Sequence, residues 1–126
     1  MSVEIDIVGA VTLATFEIEQ LASLALASAG VLDGHVAIEF VDESRIRELN
    51  RSHRALDEPT DVLSFPIDGD EETPVGPREL GDVVICPEHT VDLREAIVHG
   101  ALHLVGMDHE RDDGEMLTLQ RELLSW

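Results

Sequence analysis

Lysine is absent from this 126-residue chain, and cysteine occurs once, at Cys86. A single thiol excludes an internal disulfide and fits a reducing compartment. Eight arginines stand against 27 acidic residues, for a formal net charge of −19. A surface of that sign repels phosphate backbones at long range, so non-specific coating of nucleic acid is excluded and any RNA contact has to be local. No apolar run approaches the roughly 20 residues of a transmembrane helix. The segment from Leu21 to Ala29 follows Glu4, Asp6, Glu17 and Glu19, with no basic residue before Arg45, which argues against a signal peptide. No repeat, low-complexity tract or long linker divides the chain. These absences predict one cytoplasmic domain over residues 1–126 with no membrane partner. At that length it buries roughly two-thirds of its unfolded surface without covalent staples.

What is present alternates between strand and helix patterns. Val3 to Val8 alternates apolar with acidic residues, as a half-buried strand does. Phe16, Ile18, Leu21, Leu24, Ala25 and Ala29 recur at helical spacing, predicting a helix over 12–29 closed by Gly30. A second strand, Val36 to Val41, follows the turn Asp33-Gly34. Asp42 caps a second helix that turns Ile46 and Leu49 inward and frays near Arg51 to Arg54, before the loop residues Asp57-Glu58-Pro59. Val62 to Phe65 is a third strand stopped by Pro66, residues 68–77 form an exposed loop, and Gly81 to Cys86 is apolar enough to be a central strand. A helix starting at Glu88 to Thr90 carries Leu93, Ile97, Ala101, Leu104 and Val105 along one side. Asp112 with Glu115 opens a last helix packed through Met116, Leu119, Leu123 and Trp126. The order predicts an α+β fold, one four-stranded mixed sheet packed by helices, with a central metal-bearing helix.

The densest chemistry lies in His99-Gly100-Ala101-Leu102-His103-Leu104-Val105-Gly106-Met107-Asp108-His109, which holds three of the six histidines. Histidines at i and i+4 project from one helix face and reach a single ion. Gly106 permits the left-handed turn that brings His109 in as a third ligand. Three neutral imidazoles leave a fourth tetrahedral position open, as in catalytic zinc sites, where bound water has its pKa drawn towards about 7. Zinc, one ion per chain, fits best, although imidazoles also suit nickel, copper or iron. The spacing follows the metzincin peptidase pattern HExxHxxGxxH except at Gly100, where the pattern has its general base. Peptide hydrolysis is disfavoured without that Glu. Phosphodiester cleavage asks instead for charge stabilisation and an activated oxygen nucleophile. Arg54, whose planar fork matches a phosphate bidentately, is the candidate catalytic cation.

Arg45, Arg47, Arg51 and Arg54 crowd ten residues beside His53. Arg47, Arg51 and Arg54 share a helix face if the helix runs that far. Arg45 and Arg47 read most simply as a solvated face pairing with Glu43 and Glu48. Arg51, His53 and Arg54 are the expected RNA contacts, His53 by stacking on a base or protonating a leaving oxygen. Asp108 and Glu110 are candidate acceptors for a ligand imidazole's N–H, Ser64 and Asp82 candidate cleft residues. Cys86 reads as a small buried hydrophobe, and His35 and His89 as surface or capping residues.

Four blocks in order resemble the YbeY family of bacterial endoribonucleases: Leu49-Asn50-Arg51-Ser52-His53-Arg54, Asp57 to Pro66 (DEPTDVLSFP), Leu80 to Cys86 (LGDVVIC) and the histidine stretch. The resemblance implies a zincin-like α+β fold, zinc on His99, His103 and His109, and Arg54 as the catalytic arginine. It implies a zinc-dependent, single-strand-specific endoribonuclease in ribosomal RNA maturation, above all at the 3′ end of the small-subunit RNA, and in ribosome quality control. Partners would be ribosomal RNA and small-subunit ribosomal proteins. A second expectation, from another class, is a ribosome-assembly factor with a mainly structural metal and little nuclease activity, because the −19 charge suits basic ribosomal proteins. The chain departs from the family at Met107, where an aromatic residue is common, and in a shorter segment from Cys86 to His99.

Overall fold

The computed structural model describes residues 3–9, 11–31, 34–67, 79–105 and 114–125. In chain order the elements are β1 (Val3–Val8), α1 (Thr15–Ser28), β2 (Gly34–Phe40), α2 (Glu43–Arg54), β3 (Val62–Pro66), β4 (Glu79–Ile85), a 3-10 turn at Pro87–His89, α3 (Leu93–Leu104) and α4 (Glu115–Leu124). The strands form one mixed sheet in the order β1-β2-β4-β3. β1, β2 and β4 run parallel, and β3 is antiparallel at one edge. The expected α+β arrangement is the one the chain adopts. β4 is internal, as its apolar run implies: Val83 and Ile85 point into one layer and Val84 into the other.

Helices cover both faces of the sheet. On one, α1, α3 and α4 bury Ile18, Leu26, Ile97, Leu102 and Met116 against Ile38 and Val83. At roughly 1.5–3 kcal/mol per fully buried aliphatic side chain, this layer is the main source of stability. On the other, Ile46 of α2 meets Leu63, Val84 and Cys86 in a smaller cluster. Cys86 is thus a buried hydrophobe on the face away from α3, and burial pushes its thiol pKa up. His35 of β2 ties three strands together, with Nε2 2.7 Å from the Asp6 carboxylate and Nδ1 2.8 Å from that of Glu79. Ionised carboxylates only accept, so both ring nitrogens donate. The imidazole is held as a cation, its pKa raised chiefly by the hydrogen bonds to Asp6 and Glu79. That is a structural bridge, not the surface or capping role expected of it.

Helix boundaries depart from the sequence pattern where local hydrogen bonds decide them. α1 starts at Thr15, and Gly30 lies just past its end at φ 86°, its N–H bonded to Ala27 O. Asp42 caps α2 as expected, its side chain accepting from Arg45 N at 2.8 Å. α2 does not fray, however. It stays regular to Arg54, and Ala55 then turns left-handed at φ 59° with its N–H on Arg51 O. Buried Asn50 holds the following turn by donating Nδ2 to Glu58 O at 2.9 Å. α3 does not begin at Glu88 to Thr90. Pro87 opens a 3-10 turn that Thr90 closes, Oγ1 donating to Cys86 O at 2.6 Å. The cap of α3 is Asp92, which accepts from Arg94 N at 3.0 Å and Glu95 N at 3.3 Å. α4 is preceded by Gly114 at φ 98°. Asp33, the 68–77 loop, the turn from Gly106 to His109, Asp112 and Trp126 lie outside the described residues. Among those described, no helix is long and apolar enough to cross a membrane.

Candidate active site

From Ala96 to Leu104 every residue of α3 is buried except His99 and His103, which are half-buried. They stand one turn apart, their ring centroids separated by 4.6 Å and their planes at 71°. Between them the helix touches the sheet. A Cβ on Gly100 would lie 2.5 Å from Val83 Cγ1 and 3.1 Å from Val62 Cγ2. Ser64 of β3 closes this contact by donating Oγ to Gly100 O at 2.8 Å. A side chain at the position that carries the general base in the peptidase pattern would therefore have to displace Val83.

β3 presents an open edge beside these histidines. Asp61 O accepts from Cys86 N at 2.8 Å, and Ile67 N donates to Leu80 O at 3.1 Å. By antiparallel alternation, residues 61, 63, 65 and 67 bond to β4, while the backbones of Val62, Ser64 and Pro66 face outward. The Val62 N–H is taken by the Asp61 carboxylate at 2.8 Å, and Pro66 has none, so the edge is a poor template for another strand. Along it lies a cleft of about 450 Å³. His99 and His103 of α3 line one side, and His53 and Arg54 at the end of α2 line the other. The His53 ring sits edge-on to Phe65, centroids 4.5 Å apart.

Arg51 is not in this cleft; it lines a separate hollow with Arg47 and Asp57. Arg47 Nε donates to Asp57 at 3.0 Å and holds that carboxyl below its usual range, while Arg45 pairs with Glu48 at 3.2 Å. These two arginines are in surface ion pairs, Arg47 with Asp57 rather than with Glu43 or Glu48. Arg54 has no carboxylate partner among the described residues. Ser64 lines the cleft, whereas Asp82 is exposed on β4 and does not. His89 is a surface residue 3.6 Å from the Glu43 carboxylate. His109, Asp108 and Glu110 lie outside the described residues.

One acceptor for a candidate ligand's N–H is Gln120 of α4, whose Oε1 is 2.8 Å from His99 Nδ1. Gln120 is only 6% exposed. Its one sequence signal is a polar side chain at i+4 from Met116 and i−3 from Leu123, on the core face of its helix. With Nδ1–H donated to an amide oxygen, the lone pair of neutral His99 is on Nε2, as in a ligating histidine. Two such imidazoles a turn apart fit a divalent transition-metal ion. Among the described residues no group of three or more His, Cys, Asp or Glu is gathered for a metal; His99 and His103 make two donors, and the expected third is His109.

Residues 9–126 match the family described as endoribonuclease YbeY. A Bacillus cytotoxicus protein named Endoribonuclease YbeY is 38% identical over 128 aligned positions, covering 85% of this chain and 82% of the relative. One of the same name from Aquifex aeolicus is 40% identical over 111, covering 79% and 72%. The solution structure of the Thermotoga maritima protein TM1509 superposes with a TM-score of 0.57 at 29% identity, covering 96% of this chain and 87% of that one. On its sequence, and with the cleft between α2 and α3 in view, the chain belongs to the endoribonuclease YbeY family.

Proposed function

We propose that the chain is a metal-dependent endoribonuclease that cleaves single-stranded RNA during ribosomal RNA maturation. One observation carries this reading: Arg54 and the pair His99 and His103 line a single cleft. The family name supports the reaction class. The reading extends to zinc on His99, His103 and His109, to α3 as the metal-bearing helix of a zincin-like domain, and to the small-subunit 3′ end and ribosome quality control as its setting.

In this mechanism RNA lies along the open edge of β3. Arg54 grips the scissile phosphate through its guanidinium fork and stabilises charge that builds on the phosphoryl oxygens. His53, steadied against Phe65, offers a ring for a flanking base. His99 and His103, with His109, would hold the ion, which when bound supplies Lewis-acid stabilisation and activates an oxygen nucleophile. Gly100 leaves no side chain in the peptidase base position, which steers the site away from peptide hydrolysis.

The test is cleavage of a short single-stranded RNA by metal-loaded protein. Arg54→Ala should lower kcat/KM by about 10²–10³-fold, with metal content unchanged. Product ends identify the nucleophile: a 2′,3′-cyclic phosphate indicates the 2′-OH, a 5′-phosphate with a free 3′-OH indicates water. The −19 charge favours a second reading, a ribosome-assembly factor that docks on basic proteins through its acidic surface. Cells in which Arg54→Ala and His103→Ala both leave ribosomal RNA processing intact would support that reading and sink the catalytic one.

A further inference from the structure

The geometry points to a positioning relay, Glu95–Gln120–His99, in which a surface carboxylate sets the tautomer and direction of the His99 imidazole through a buried amide. Gln120 Nε2 lies 3.3 Å from Glu95 Oε1, and Gln120 Oε1 lies 2.8 Å from His99 Nδ1. An ionised carboxylate only accepts, so the end of the amide that faces Glu95 is its NH2. The end that faces His99 is then the carbonyl, and His99 Nδ1 must donate. Reversing the amide would set its oxygen against the Glu95 carboxylate, a repulsion that no change of His99 tautomer removes. Gln120 is 6% exposed, so water offers the reversed amide little compensation.

The three residues come from two helices. Glu95 and His99 stand one turn apart on α3, and Gln120 reaches them from α4. The relay thereby fixes how α4 sits on α3 as well as how the ring points. Gln120 and Glu95 are positioning residues that act through His99. This inference rests on His99 as a metal ligand for its consequence, but the tautomer itself is a property of the metal-free chain. A carbonyl on Nδ1–H keeps the Nε2 lone pair turned away from α4, and partners of this kind commonly sustain metal affinity by about 10–100-fold.

Two readouts test the relay: zinc affinity, by competition with a chromophoric chelator, and the His99 tautomer in metal-free protein, by long-range proton–nitrogen NMR. They are compared in the parent, in Gln120→Met, and in the double variant Glu95→Gln/Gln120→Glu. The parent should carry its His99 proton on Nδ1. Gln120→Met should weaken zinc binding by about 10–100-fold and let the proton populate Nε2. The double variant keeps the net charge and reverses the relay: the amide at position 95 donates to the carboxylate at 120, whose other oxygen accepts from His99. It should restore both readouts, and it carries the test if Gln120→Met does not fold. An Nε2–H tautomer in the parent, unchanged readouts in Gln120→Met, or a double variant as weak as Gln120→Met would each overturn the proposal. A parent that takes up no zinc sinks the metal reading, and the tautomer spectra then decide the relay alone.

Discussion

Gly100→Ala sets two opposed effects against each other. Replacing a mid-helix glycine by alanine ordinarily stabilises by about 0.8–1 kcal/mol. Here the new Cβ would lie 2.5 Å from Val83 Cγ1 and 3.1 Å from Val62 Cγ2, against an ordinary carbon–carbon separation of about 3.5–4.0 Å. About 1 Å therefore has to open. Val83 is fully buried, and a β-branched side chain on a strand has little rotamer freedom with which to yield. Relief comes from lifting α3 off β3, which stretches the 2.8 Å bond from Ser64 Oγ to Gly100 O and loosens the wall that holds His99 and His103. Overpacking of this kind costs roughly 1–3 kcal/mol, and the lost hydrogen bond adds about 0.5–1.5 kcal/mol. The net expectation is destabilisation by about 1–3 kcal/mol, read as a lower urea midpoint at unchanged slope. A variant as stable as the parent, or more so, would show that α3 does not sit this close to β4. Gly100→Glu should unfold the domain rather than confer peptidase activity.

Three further outcomes follow from the same contacts. The pKa of folded His35 is raised above its ordinary 6.5, so its stabilisation is complete below about pH 6.5, while Asp6 and Glu79 stay ionised, and is lost as pH rises through the folded value. The stability gap between parent and His35→Gln should shrink as pH rises above about 6.5, and a gap independent of pH would contradict the cationic bridge. Asn50→Ala strips the donor from Glu58 O, an expected loss of about 1–3 kcal/mol by urea titration; a loss within error of zero would show that the turn after Ala55 holds itself. Cys86, fully buried with a raised thiol pKa, should resist alkylation in the folded protein and react at once in denaturant, and rapid labelling under native conditions would place it nearer solvent.

The strands were legible because a period of two and a bare apolar run report burial on one face or both; Val3 to Val8 and the LGDVVIC run say as much without neighbours. The pairing of His99 with His103 was legible because i, i+4 spacing on a helix is itself a distance. What stayed hidden depends on partners far along the chain. The ordered end of α2 relies on a side chain, Asn50, reaching a carbonyl eight residues on. The start of α3 was a competition between neighbouring caps, which Asp92 won because Pro87 and Thr90 closed a separate turn first. Gln120 meets His99 across 21 residues and His35 meets Glu79 across 44, separations that leave no local pattern. Gly100 reads in the sequence as a missing base; only the packing against Val83 and Val62 shows that a side chain there would have to push the sheet's side chains aside.

Elemental analysis of the purified protein beside His99→Ala and His103→Ala tests the central claim most directly. Expected is close to one equivalent of transition metal per chain in the parent, with zinc the expected ion, and its loss in both variants. A parent without stoichiometric metal, or variants that keep theirs, would contradict a metal-dependent site on α3.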